Sequence, residues 1–482
     1  MHELVTIADP AGPLRAASIP WAALPIGRRL AVIARFRRTL ARRAEEVAAT
    51  LSDLRPIADT LAAEILPTLE AARFLEREAA GLLAPKRLGR AGRPLWLAGI
   101  DQLVTRAPYG ALLILAPSNY PLMLPAIQAL QALAAGNAVA WKPGRGGAAA
   151  ARAIRDLLLE SGLPPELIHI ADEDDATGKS LAEAGFDRIV LTGSATTGRA
   201  VLAAAAATLT PCTVELSGAD PVYVLPGARL ELVADCLTYG LRLNGGATCI
   251  APRRVFIRRH LAPALEALLQ ARIANIPSVP IPPRALEALR TMAEAALASG
   301  ARPLGPIPDQ AAPTMRPLIL TDCPHDPELL SRDIFAPWLA IVPIDDPEAA
   351  LALETTSRYA LGASIFGPTD AAIRLAARLP AGAVTINDLI VPTADPRLGF
   401  GGAHDSGFGT TRGPEGLLEM TRLRTVSIRR PRGFRPHLQP PLAQDAARMA
   451  GLIELLHAGA DPRRALRRLL GRNRPAGHIR PS

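Results

Sequence analysis

The sequence predicts an α/β protein built on parallel sheets, with two such regions in one chain of 482 residues. Three observations carry that expectation. From Leu103 to about Leu216 short apolar runs alternate with Ala-rich helical stretches, the pattern of βαβ units. A similar alternation runs from roughly Pro221 to Leu418. The chain is long enough for two or three domains, and a composition of 49% hydrophobic and 21% charged residues is globular.

Taken in order, residues 20 to 85 read as helical, with Leu30, Ile33, Ala34, Phe36 and Leu40 at helical spacing and Pro56 and Pro67 as punctuation. Nothing in them suggests chemistry. Buried strands are expected at Gly110–Ala116, Ala138–Trp141, Leu167–Ile170 and Arg188–Leu191, and ligands of such a sheet bind at the carboxyl ends of its strands. The second region places strands near Val222–Leu225, Arg254–Ile257, Ala340–Val342 and Ala383–Ile386. Beyond Thr425 come a short strand and about fifty residues rich in Arg and Pro.

Composition narrows the function classes. The net charge is +9, yet only three basic residues are lysine (Lys86, Lys142, Lys179), so an Arg-rich bias explains the charge and no nucleic-acid partner is expected. Cys212, Cys236, Cys249 and Cys323 lack CxxC or ligand-like spacing, which argues against zinc and against a disulfide framework. No apolar run reaches the ~18 residues of a membrane span, and the N-terminus lacks a signal-peptide layout. A cytoplasmic, metal-free protein is expected.

Five motifs could carry chemistry. In Asn244-Gly-Gly-Ala-Thr-Cys249 a cysteine follows a Gly-rich turn, where a helix start would lower its pKa; alone, a buried structural cysteine is the commoner reading. In Thr213-Val-Glu215-Leu-Ser-Gly218 a carboxylate ends an apolar strand and could be raised toward general-base range, or simply sit at the surface. Asn119, pinned in Ala116-Pro-Ser-Asn-Tyr-Pro121, is a candidate oxyanion donor or an ordinary turn former. Lys142 stands where a strand exits, suited to a phosphate or ribose or to solvent. Thr192-Gly-Ser194-Ala-Thr-Thr-Gly198 reads as strand, turn and helix, an anion site or a capped helix start.

The order of these pieces is far more specific than any one of them. The series PSNYP, WKPG, TGSATTG, ELSG and GGATC resembles the NAD(P)-dependent aldehyde dehydrogenase superfamily in identity, order and spacing. Asp333-Ile-Phe335-Ala-Pro337, Tyr359–Phe366, Val384-Thr-Ile-Asn387, Gly399-Phe-Gly-Gly402 and Ser406-Gly407 continue the match, which spans roughly residues 20 to 430. The 34 positions from Glu215 to Cys249 match the family's spacing of base and nucleophile.

The resemblance implies a Rossmann-like cofactor-binding domain (1–88 and 109–217), an α/β catalytic domain (218–418), an oligomerisation arm (89–108 and 419–431) and an additional basic helical tail (432–482). It implies Cys249 as nucleophile, Asn119 with the Cys249 N–H as oxyanion donors, and Glu215 as the base that hydrolyses a cysteine thioester. Lys142 matches the ribose contact, Ser194 the pyrophosphate contact, and Asp333 with Phe335 the nicotinamide-side contacts. Ala116, Pro117, Ser118, Arg145, Gly193 and Leu216 complete the expected cofactor surface for NAD or NADP. Arg145 stands where NAD-preferring relatives commonly carry an acid, so NADP should be accepted.

The match has departures: Ser118 where Trp is common, Asp333 where Glu is common, Ala247 where Gln is common, and Thr411 where a second acid often relays protons. The segment Ala403-His-Asp405 lacks the usual lysine. Two rival readings are a CoA-acylating or acyl-reducing relative, against which Glu215 speaks, and a non-catalytic family member. The substrate funnel is expected to involve Leu389–Val391, Thr248, Ile250, Tyr120, Leu122 and Met123, with no arginine to clamp a carboxylate, so an apolar aldehyde is favoured.

An apolar arm at Leu95–Ala98, Leu103–Thr105 and Thr425–Ile428 needs a covering subunit, which predicts a homodimer or tetramer. In the tail, Arg429–Arg435 should be an irregular linker, followed by helices over Ala443–His457 and Pro462–Leu470. The tail should be dispensable for chemistry, with weak peripheral membrane contact as a lesser possibility.

Overall fold

The computed structural model describes residues 9–94, 97–309, 313–324, 326–355, 357–429, 435–438, 440, 442–458 and 463. Two units separate: residues 1–86 with 104–424, and residues 87–103 with 425–482.

The larger unit contains two mostly parallel sheets. The first has six strands in the order Gly407–Phe408, Cys212–Leu216, Arg188–Gly193, Ala111–Leu115, Ala138–Lys142 and Ile168–Ile170. All neighbours are parallel except Gly407–Phe408, which pairs antiparallel with Cys212–Leu216 and sets Gly407 opposite Glu215. The central strands read as unbroken apolar runs because both faces are covered. The helices Ile26–Arg42, Leu66–Leu82 and Met123–Ala135 pack on one another and on this core. Helix Ile26–Arg42 buries Leu30, Ile33, Phe36 and Leu40, a stripe at the spacing a helix requires.

The second sheet has seven strands in the order Arg302–Leu304, Leu318–Thr321, Trp338–Ile344, Pro252–Arg258, Asp220–Val224, Gly362–Phe366 and Ala383–Ile386. Arg302–Leu304 is antiparallel to its neighbour and the rest are parallel. Alternation along one strand splits its side chains between two cores. Trp338, Ala340, Val342 and Ile344 face helix Pro283–Ala298, whereas Leu339 and Ile341 face helices Leu230–Arg242 and Ala262–Ile273.

In the smaller unit the Ser427 hydroxyl donates to Gln102 Oε1 at 2.6 Å, joining the outer parts of strands Ile100–Pro108 and Thr421–Arg429. The helix Ala443–His457 follows, as the sequence predicts. Leu95 and Trp96 of the expected arm, linker residues 430–434, and the expected helix 462–470 apart from Arg463 lie outside the described residues. Among the described residues no helix is long and apolar enough to cross a membrane.

Candidate active site

The cysteine loop is shaped by an unusual run of backbone. After helix Leu230–Arg242 the residues Asn244, Gly245 and Gly246 have φ of 50°, 59° and 75°, the left-handed region that glycine enters without a steric penalty. At Gly246 a Cβ would stand 2.4 Å from the Ala336 carbonyl, so only hydrogen fits. The buried guanidinium of Arg253 staples the loop from below. It donates to the carbonyls of Gly246 at 2.6 Å, Ala336 at 2.8 Å and Trp338 at 3.0 Å.

Cys249 lies in the turn between this loop and strand Pro252–Arg258, half-buried against Ile250, Leu361, Phe400 and Ile390. It does not open a helix, and the expected lowering of its pKa is overturned. Burial pushes the thiol up, the carboxylates of Glu215 and Asp220 add to this, and Arg412 and the Ile250 amide oppose it. Cys212, Cys236 and Cys323 are likewise free thiols raised by burial.

Asn119 is brought directly to the cysteine loop. Its Nδ2 donates to the Ala247 carbonyl at 2.9 Å, which leaves the second amide hydrogen available. Its own carbonyl accepts from Asn244 Nδ2 at 2.9 Å and from Arg55. Beside it the Tyr120 and Thr248 hydroxyls share a hydrogen bond of 2.7 Å. Behind it Glu64, fully buried and 3.2 Å from Arg55, accepts from the Leu122 and Met123 amides at 2.8 Å each, capping the next helix.

Glu215, in its strand, is 2% exposed. One carboxylate oxygen accepts from the Thr411 hydroxyl at 2.6 Å and the other has no hydrogen-bond partner. Burial raises its pKa, with Arg412 and the Thr411 hydroxyl opposing. Arg412 adopts φ 60° and ψ 174°, a backbone region costly for any residue with a Cβ. Its guanidinium stacks on Phe400 at 4.3 Å from the ring centroid and donates to the Thr393 carbonyl at 2.9 Å.

Arg412 also lines a small, shallow pocket with Phe74, Leu75, Ile127, Gln131 and Asp395. Two of the expected lining residues, Leu122 and Leu389, are core instead, while Ile250 and Ile390 do pack at the cysteine.

The cofactor candidates gather at the carboxyl edge of the first sheet. The Ala116 amide donates to the Lys142 carbonyl at 3.0 Å, and a Cβ on Gly144 would meet the Pro117 carbonyl at 2.1 Å, so the two loops touch through hydrogen alone. Pro117 is buried and Ser118 exposed. Lys142 is 9% exposed; desolvation lowers its pKa against the opposing pull of Asp175, Asp174 and Glu173. Arg145 is open to solvent and 3.9 Å from Asp175.

Gly193 ends its strand, and Ser194 caps helix Ala195–Thr208 by accepting from the Thr197 amide at 3.1 Å. Leu216 packs under Gly198. Asp333, half-buried beside half-buried Phe335, is raised by burial and opposed by the Ser217 hydroxyl and Arg253. A helix start of polar, Gly-bearing sequence, a nearly buried ammonium and closely nested loops fit the phosphate and ribose of a dinucleotide.

Sequence reasoning missed Arg55, Glu64, Asp220, Arg253, Asn244 and Arg412. Arg253 had a readable signal, a charged pair inside the apolar strand Pro252–Arg258. Arg55 and Glu64 had none, because their segment reads as an ordinary charged helix.

Two mostly parallel sheets, with closely nested loops at the carboxyl edge of the first, are the architecture of an α/β enzyme. The aldehyde dehydrogenase family profile matches residues 14–426, and the chain belongs to that family. It is an NAD- or NADP-dependent enzyme that oxidises an aldehyde to a carboxylic acid.

It is 30% identical over 419 residues to the 4,4'-diapolycopene aldehyde oxidase of a Methylomonas species, covering 84% of this chain and 78% of that one. It is also 30% identical over 434 residues to a Mycobacterium tuberculosis H37Rv protein provisionally named succinate-semialdehyde dehydrogenase (NADP(+)) 2, covering 86% and 83%. The NADP complex of the NADP-dependent glyceraldehyde-3-phosphate dehydrogenase of Bacillus halodurans C-125 superposes with a TM-score of 0.79 at 27% identity, over 86% of this chain and 90% of that one.

Proposed function

We propose that Cys249, Asn119 and Glu215 carry the oxidation through a cysteine thioester that water hydrolyses. The supporting observation is the Asn119 amide bonded to Ala247 inside the cysteine loop, with Glu215 buried and bonded to Thr411 at the end of its strand. Deprotonated Cys249 adds to the aldehyde carbonyl, and the oxyanion takes hydrogen bonds from Asn119 Nδ2 and the Cys249 N–H. Bound NAD(P) supplies the hydride acceptor. Collapse of the adduct leaves an acyl group on Cys249; Glu215 takes a proton from water, which attacks the thioester and returns the free thiol.

In this reading the six-stranded sheet is the cofactor-binding domain and the seven-stranded sheet the catalytic domain, with boundaries near 217 and 418. Ala116, Pro117, Ser118, Lys142, Gly193, Ser194 and Leu216 hold the adenosine and pyrophosphate side, Arg145 contacts the ribose edge, and Asp333 and Phe335 hold the nicotinamide side. A buried Glu215 favours hydrolysis over CoA acylation and over a silent relative. The apolar residues packed around Cys249 (Ile250, Leu361, Phe400 and Ile390) support an apolar aldehyde, as does the likeness to an aldehyde oxidase of 4,4'-diapolycopene.

A homodimer or tetramer, with Val426 and Ile428 of the exposed strand covered by a second subunit, and a cytoplasmic location for four free thiols complete the proposal. Incubation with NAD or NADP and an aldehyde panel, with and without CoA, tests it. Reduced cofactor without CoA supports hydrolysis; dependence on CoA, or silence throughout, overturns it.

A further inference from the structure

Asn119 lies in a bend between strand Ala111–Leu115 and helix Met123–Ala135, outside both, so no ladder of backbone bonds fixes it. Two side chains hold it instead. Its carbonyl accepts from Arg55 Nη2 and from Asn244 Nδ2, the latter at 2.9 Å. The same Asn244 nitrogen donates to the Ala247 carbonyl at 3.1 Å, tying the bend to the cysteine loop. The side-chain amide is oriented in turn. Asn119 Oδ1 accepts from the Tyr120 N–H at 3.0 Å, which turns Nδ2 toward Ala247.

Arg55 is anchored from behind. It is 8% exposed, and its Nη1 stands 3.2 Å from Oε1 of the wholly buried Glu64. The other Glu64 oxygen accepts from the Leu122 and Met123 amides at 2.8 Å each. Glu64 belongs to a π turn, Leu61–Ile65, a rare element that is frequent at functional sites. The Arg55 guanidinium also covers the Tyr120 ring, 5.3 Å from its centroid. One ion pair thus grips residues 119–123 at four points: the Asn119 carbonyl, the Tyr120 ring and two amides. A dry ion pair is seldom worth more to stability than apolar residues of equal volume, since both ions lose their water. Where its contacts fall is the informative part, and these fall on the loop that carries the oxyanion donor.

We propose that Arg55, seated on Glu64, is a positioning residue for the addition step: it fixes the Asn119 backbone so that the second Nδ2 hydrogen meets the oxyanion as it forms. This role rests on the thioester reading above and deepens it. In that step the Cys249 sulfur bonds the carbonyl carbon and the carbonyl π pair moves onto oxygen. Asn119 Nδ2 and the Cys249 N–H donate to the new charge. Arg55 exchanges no proton and bonds none of the reacting atoms. Aim matters here, because losing one oxyanion donor costs about 10²–10³-fold and displacing a group by about 1 Å can cost 10²-fold.

The test is a double-mutant cycle on the full-length enzyme with NAD(P) and hexanal, read by stopped flow as the rate of the reduced-cofactor burst. Arg55→Met with Glu64→Gln removes both charges together, and Gln keeps an acceptor for the two amides. This change should slow the burst about 10- to 100-fold with KM for hexanal little altered. A trifluoromethyl alkyl ketone, which adds a thiolate and retains the oxyanion, should bind more weakly by a similar factor, while NAD(P) affinity stays. In Asn119→Ala, where no side chain remains to be aimed, the same change should cost less than about threefold more. Arg55→Lys keeps a charge beside Glu64 but lacks the fork that reaches the carbonyl as well, so its loss should be intermediate and should also vanish in Asn119→Ala.

Equal losses with and without the Asn119 side chain would mean that the ion pair serves folding, or acts through Tyr120 and Thr248, and would overturn the proposal. Undiminished ketone affinity beside a slowed burst would overturn it too. The thioester reading fails separately, if Cys249→Ala keeps its burst. Should the charge-free variant not fold, the cycle of Arg55→Lys with Asn119→Ala decides alone.

Discussion

The Thr411 hydroxyl donates to the Glu215 carboxylate at 2.6 Å, both groups being buried. A short neutral donor thus occupies a position where a second acid is common, and the carboxylate gains a hydrogen bond instead of a competing charge. Hydrogen bonds to charged groups are worth about 1.5–3 kcal/mol. Thr411→Val should therefore slow thioester hydrolysis roughly tenfold or more at neutral pH without removing the burst of reduced cofactor. Rapid-mixing kinetics checks it, and equal loss of burst and turnover would contradict it.

Substitution of the two central groups should divide the reaction. Cys249→Ala abolishes aldehyde oxidation, whereas Glu215→Gln accumulates acyl-enzyme, visible as added mass on the intact protein. Loss of a general base typically costs ~10²–10⁴-fold. Changes at Cys212, Cys236 or Cys323 should matter far less.

The pH dependence follows from the directions of the shifts. Burial raises both Glu215 and Cys249, so each is protonated and inactive at the acid end, and each gains activity as pH rises through its own raised value. Turnover should climb from pH 6 to 9 rather than plateau at 6. A flat profile from pH 6 would show that the two groups are ionised more readily than their burial implies.

Much of the fold is legible in the sequence because strands covered on both faces must be apolar throughout, as Ala111–Leu115 and Trp338–Ile344 are. The strand Gly407–Phe408 is not, since two residues carry no period and its pairing with Val214 and Glu215 is long-range. The order of motifs singled out Cys249, Glu215 and Asn119. It gave no access to Arg412, whose inward turn depends on Phe400 and Thr393, or to the raised thiol, whose burial comes from several separated segments.

Cofactor choice turns on Arg145, which is exposed and loosely opposed by Asp175. A guanidinium there suits the 2′-phosphate of NADP. Arg145→Glu should lower kcat/KM for NADP by about tenfold while leaving NAD less affected, measured side by side. A strong NAD preference indifferent to the substitution would overturn the assignment.

Stability should depend on Arg253. Arg253→Leu leaves the carbonyls of Gly246, Ala336 and Trp338 without their donor in a buried place. Orphaned buried groups cost about 1–3 kcal/mol each, so a fall of several degrees in Tm is expected by calorimetry, together with a disordered cysteine loop. An unchanged Tm would mean that water replaces the guanidinium.

The far end of the larger unit supplies partners of the reactive centre: Phe400 packs in the cluster against Cys249 and Thr411 bonds Glu215, both of them made much later in synthesis than the thiol. A ribosome therefore releases the Cys249 loop well before the residues that equip Glu215 exist, and domains begin to fold as they emerge. A chain ending at Leu398 also loses Phe400, which packs in the cluster against Cys249, so it should show neither burst nor acyl adduct, measurable on purified truncations.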